Sequence, residues 1–114
     1  MAPRRRRGSS RLLPLDRPDG VFAANDLVAM GVLQSLVMLG DLRVPDDVAL
    51  IGYDDIDFAR AAVVPLSSIR QPSALIGQTA MDILQDEIDD PARSPRRVVF
   101  APELVVRAST VPDA

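Results

Sequence analysis

Two acidic clusters hold most of the chemistry this sequence could perform: Asn25-Asp26, and Tyr53-Asp54-Asp55 further along the chain. A carboxylate can accept hydrogen bonds from hydroxyls, amides or ring N–H groups, and in other settings it serves as acid, base or metal ligand. The sequence narrows that range. It contains no histidine, so it has no neutral-pH imidazole base or ligand, and no cysteine, so it has no thiolate site or disulfide framework. Most hydrolase triads and zinc chemistry are thereby removed. Neighbouring carboxylates such as Asp54 and Asp55 cannot stand on opposite sides of a glycosidic bond, as a glycosidase pair must. No Gly-x-Gly-x-x-Gly follows the first apolar run and there is no P-loop, so nothing cradles a nucleotide phosphate. The expectation is a binding protein rather than an enzyme, with no cofactor and no metal.

The elements that must position these clusters can be read from apolar runs and turn signals. Asp19-Gly20 marks a turn, and Val21-Phe22-Ala23-Ala24 predicts a short buried strand. Asn25-Asp26 then offers N-cap chemistry for a helix over residues 27–39, with Gly40 as its C-cap. That helix is apolar almost all round, interrupted only by Gln34 and Ser35, so a second covering surface is needed, either another subdomain or another subunit. Val48-Ala49-Leu50-Ile51 predicts a second buried strand, parallel to the first, and the cluster at Tyr53 follows its C-terminal end. Ligands of open parallel α/β sheets bind outside those strand ends, which places Asp26 and Asp54 on one rim. Leu66-Ser67-Ser68-Ile69 reads as a third strand. Ser73 is positioned to cap a second helix with its apolar stripe at Ile76, Ala80, Ile83, Leu84 and Ile88, and residues 98–100 and 104–106 read as two final strands.

Composition bounds the rest. The 114 residues, 47% apolar and 25% charged, suit one soluble globular core. The net charge of -3 divides into +5 over the first seventeen residues and -8 over the remainder. An acidic body repels a phosphate backbone, so nucleic-acid binding by the body is not expected. Residues 1–18 read as an Arg-rich disordered arm, residues 19–110 as the folded region and residues 111–114 as a tail. The arm's apolar stretch, Leu12-Leu13-Pro14-Leu15, is too short for a secretory signal, and residues 27–39 fall well short of the ~20 that span a bilayer. A cytoplasmic location is the expectation.

The order and spacing of VFAAND (21–26), VPDDVALIGYDD (44–55), PLSSIRQP (65–72) and PELVVRAST (102–110) resemble the C-terminal part of the effector-binding domain of lactose-repressor (LacI) family transcription regulators. The resemblance implies a periplasmic-binding-protein-like α/β fold, here partial, with two Rossmann-like subdomains clamping a sugar or nucleobase effector. It implies that the first strand-helix-strand unit lies in the C-terminal subdomain and that residues 66–88 pack in the N-terminal one. Asp26 becomes an effector ligand by this resemblance, with the N-cap of the following helix as its plain alternative. Asn25, Tyr53 and Asp54 are further effector-binding candidates, each with a turn-forming alternative, and Arg70 and Gln71 are assigned to linkage. The resemblance also places the apolar helix near a homodimer interface, with Leu27, Met30, Val32, Leu33, Leu36 and Val37 as candidates. Full burial within the chain is the alternative. DNA contact is expected only through a helix-turn-helix that this sequence lacks. Two other readings stand beside this one: a solute receptor of a transport system, which shares the fold, and a fragment without independent activity.

Overall fold

The computed structural model describes residues 18–112. The expected arm lies outside them except for its last residue. The elements run β1 (Gly20–Phe22), α1 (Asp26–Gln34) with a π-helical turn (Ser35–Leu39), β2 (Ala49–Ile51), α2 (Asp57–Ala61), β3 (Ser68–Arg70), α3 (Ser73–Asp89) and β4 (Glu103–Val105). The chain divides into a first unit, residues 18–70 with 104–112 among those described, and a second unit, Gln71–Glu103.

In the first unit β1 and β2 pair in parallel, with Val21 opposite Leu50 and Phe22 opposite Ile51. Flanking hydrogen bonds extend the pairing, from Ala49 N–H to Asp19 C=O at 2.9 Å and from Ala23 N–H to Ile51 C=O at 2.8 Å. A parallel bridge between Ile51 and Ser67 brings the β3 segment alongside β2, and β3 pairs with β4. The expected parallel α/β arrangement is therefore present, in short strands.

α1 begins where the sequence places it, because Asn25 leaves its own N–H out of the helix and accepts from Val28 N–H at 2.9 Å through its side chain. Its inward face is Ala29, Leu33 and Leu36, at i, i+4 and i+7. These pack with Ala23, Val44, Val48, Leu50, Ala59 and Leu66 into the core. Leu50 and Leu66 are fully buried, each worth roughly 2 kcal/mol in apolar area removed from water. The helical segment ends at Gly40, the expected C-cap. Gly40 stays right-handed (φ -96°) and Asp41 takes the left-handed position (φ 53°), which aspartate tolerates better than most residues. Leu42 N–H then closes the end on Leu36 C=O at 2.9 Å.

The connector containing Phe58 forms a short helix, α2, that inserts Ala59 into the core and leaves Phe58 exposed. Residues 66–70 do not leave with the following helix, contrary to what the resemblance implies. Leu66, Ser67 and Ser68 are buried in the first unit, and the division falls after Arg70.

The second unit is built on α3. Its N-cap is Pro72, which has no side-chain oxygen to offer, so Ser73 is the first helical residue rather than the cap. The predicted stripe is present, but no residue of α3 is buried, and Ile76, Leu84 and Ile88 are all exposed or nearly so. After the helix, Arg93 and Arg96 reach back to Asp86 at 3.4 and 3.7 Å. Residues 98–100 do not form the expected strand; they run along α3 and line a groove with Ile76, Ala80 and Ile83.

Candidate functional site

β1 and β2 are parallel and in register, so the loops that follow them emerge on one edge of the sheet. The two acidic clusters are those loops. Asp26 N–H donates to Tyr53 C=O at 2.9 Å and ties one to the other.

Within the first loop Asn25 and Asp26 divide two tasks that the sequence leaves shared. Asn25 caps the helix. Asp26 is freed from capping and turns inward, with none of its surface exposed. One carboxylate oxygen accepts from the Ser68 hydroxyl at 2.7 Å, and the other from Ile56 N–H, at the start of α2, at 2.8 Å. A single side chain thus joins α1, β3 and α2. Burying a carboxylate is costly unless its acceptor sites are filled, and these two donors fill one on each oxygen. Gly52 makes room for it. A Cβ at Gly52 would fall on the Asp26 Oδ1 atom and 3.2 Å from the Ala29 Cβ.

The second loop is equally bound. Asp54 (φ 105°) and Asp55 (φ 53°) both have positive φ, a conformation held by Asp54 N–H donating to Ile69 C=O at 2.9 Å and Asp55 N–H to the Ser68 hydroxyl at 3.0 Å. Ser68 therefore accepts from one loop and donates to the other. The Asp55 carboxylate, 4% exposed, accepts from Arg70 Nε at 2.8 Å and Arg107 Nη1 at 2.6 Å. Burial alone would push its carboxyl up. Hydrogen bonds and positive charge from Arg107 and Arg70 outweigh that and hold it below the ordinary carboxylate range. Arg107 also donates to Leu66 C=O at 2.8 Å, and Ser109, fully buried, bonds Ser67 N–H and Leu50 C=O through its hydroxyl.

Of the predicted effector residues, Asp26, Asn25, Tyr53 and Asp54 all lie on this edge. Tyr53 is half-buried and Asp54 is exposed, whereas Asp26 faces the interior. Of the interface candidates, Leu33 and Leu36 are buried in the chain's own core. Met30, Val32 and Val37 pack partly against that core, and Leu27 is 70% exposed. Sequence reasoning missed Ser68, Gly52, Ser109 and Arg107. Two serines in an otherwise apolar strand, and a glycine directly after β2, were the only local signs. Among the described residues no group of three or more His, Cys, Asp or Glu side chains could hold a metal ion.

Comparison with known proteins gives this arrangement its family. The model of the periplasmic binding protein-like domain matches residues 2–110. The HTH-type transcriptional repressor PurR of Photobacterium profundum is 42% identical over 94 residues, which cover 82% of this chain and 28% of the repressor. The ribose operon repressor of Escherichia coli is 42% identical over 93 residues, again 82% of this chain and 28% of the relative. The chain thus spans little more than a quarter of the length of these curated relatives. The structure of a LacI family transcriptional regulator from Enterococcus faecium with bound ribose superposes with a TM-score of 0.79 at 34% identity, covering 91% of this chain and 38% of that one. The chain belongs to the periplasmic binding protein-like domain family and matches the effector-binding domain of LacI-family regulators.

Proposed function

We propose that this chain contributes one wall of a small-molecule effector site in a LacI-type transcription regulator, with a sugar or nucleobase as the effector. The observation that carries the reading is the shared edge of β1 and β2, where Asn25, Asp26, Tyr53 and Asp54 are gathered and locked by the Asp26 N–H to Tyr53 C=O bond. Exposed Asp54 and half-buried Tyr53 offer an acceptor and a hydroxyl at the rim. Asp26 is fully buried and accepts from the Ser68 hydroxyl and the Ile56 N–H, so a ligand that reaches it must open the packing around these two bonds. Effector binding would then be coupled to the loop that starts α2, which gives the ligand a means of favouring one arrangement over another.

The exposed flank of α1 and its π-helical turn, with Leu27, Val28 and Met38, supports homodimer formation through that helical segment together with Met30, Val32 and Val37. DNA contact belongs to a helix-turn-helix outside this chain, the role is non-enzymatic, and the location is the cytoplasm. No helix among the described residues is long and apolar enough to cross a membrane. Thermal melts of the purified chain with a panel of sugars and nucleobases test the reading. One compound should raise the transition in the wild type and raise it less in Asp54→Ala. A transition indifferent to every compound would count against an effector site here.

A further inference from the structure

The chain leaves the first unit after Arg70 and returns to it at Leu104. An arginine stands at each passage, Arg70 at the exit and Arg107 just inside the return, and one carboxylate holds both. Asp55 Oδ2 accepts from Arg70 Nε at 2.8 Å, and Asp55 Oδ1 accepts from Arg107 Nη1 at 2.6 Å. Asp55 is itself fixed to the core, through its N–H on the Ser68 hydroxyl at 3.0 Å, and Arg107 is steadied on Leu66 C=O. The carboxylate is 4% exposed and the Arg107 side chain 12%, so water screens this pair far less than a surface ion pair.

We propose that Asp55 is a positioning residue that clamps both passages of the chain to the first unit, so that loss of its charge frees the exit and the return together. Each oxygen serves a different arginine, and neither contact substitutes for the other. An asparagine in its place presents one uncharged acceptor oxygen and an NH2 group that cannot accept from a guanidinium, so the charge-assisted bond is lost at both passages. The charged groups bonded to the carboxylate are Arg70 on β3 and Arg107 beyond β4. The clamp requires no ligand, and it stands or falls independently of the effector reading.

Amide hydrogen exchange read by mass spectrometry on the intact chain tests it, comparing wild type, Asp55→Asn and Arg70→Gln. In Asp55→Asn, peptides over residues 69–73 and 103–108 should exchange at least about tenfold faster while β2 and α1 keep their protection. Arg70→Gln should loosen residues 69–73 alone. The proposal is overturned if Asp55→Asn leaves either passage at its wild-type rate, or if it accelerates β2 and α1 by the same factor as the passages. If Asp55→Asn does not fold, Arg70→Gln decides: acceleration confined to residues 69–73 supports the clamp, and acceleration nowhere, or equally in β2 and α1, overturns it.

Discussion

Adding one methyl group at Gly52 probes the lock around Asp26. Gly52 is buried and its φ is not in the positive region, so alanine is tolerated by the backbone and any penalty is steric. The new Cβ would overlap Asp26 Oδ1 and lie 3.2 Å from the Ala29 Cβ. Retreat of the backbone is resisted by the Gly52 N–H bond to Ser67 C=O at 2.9 Å. The Asp26 carboxylate must withdraw, and its 2.7 Å bond from the Ser68 hydroxyl is lost. Overpacking costs about 1–3 kcal/mol. Loss of a buried hydrogen bond to a charged group costs about 1.5–3 kcal/mol. Gly52→Ala should therefore lower unfolding free energy by about 3–5 kcal/mol, against the 5–15 typical of a domain. Urea unfolding would read this as a lower midpoint with an unchanged slope. In an Asp26→Ala background the same substitution should cost about 2 kcal/mol less, since the obstructing oxygen is gone. Gly31→Ala is the control. Nothing lies within 4 Å of its added Cβ, and an alanine in α1 should gain about 0.5–1 kcal/mol. A Gly52→Ala protein within about 0.5 kcal/mol of wild type would refute the packing of Asp26 beneath Gly52.

The remaining predictions concern the core face of α1 and the Asp55 pairs. Leu33→Ala should cost about 2–5 kcal/mol because Leu33 is 3% exposed in the core, whereas Leu27→Ala, at 70% exposure, should leave unfolding within about 0.5 kcal/mol and weaken self-association in sedimentation. The Asp55 carboxyl lies below its ordinary value in the folded chain, so its contribution to stability is fully present above about pH 4, the unfolded carboxylate value, and is lost as pH falls through the lower folded value. Urea midpoints between pH 7 and 2 should show that acid limb in wild type and a shallower one in Asp55→Asn.

The elements were legible because their signals are local. The apolar runs around Val21 and Leu50 and the Asn25 cap each act within a few residues, and β1, α1 and β2 form around them, with Gly20 joining β1 rather than a turn. The lock was illegible because its partners are far apart in sequence. Asp26 meets Ser68 across 42 residues and Arg107 meets Asp55 across 52, and no periodicity encodes those pairings. Which residues of the apolar helix turn inward was hidden for a related reason. A helix apolar on every side does not announce which face turns inward, and only the packing of Ala29, Leu33 and Leu36 against Leu50 and Leu66 decides it. Residues 98–100 carry strand propensity, but propensity without a neighbouring edge gives no pairing.

The central claim is that the shared edge of β1 and β2 receives a small polar ligand. Backbone amide NMR spectra of the chain titrated with ribose, glucose, cellobiose and nucleobases test it most directly. Saturable shifts from one compound at Asn25, Asp26, Tyr53, Asp54 and Ile56 are the predicted result. Shifts confined to residues 71–103, or none from any compound, would contradict it.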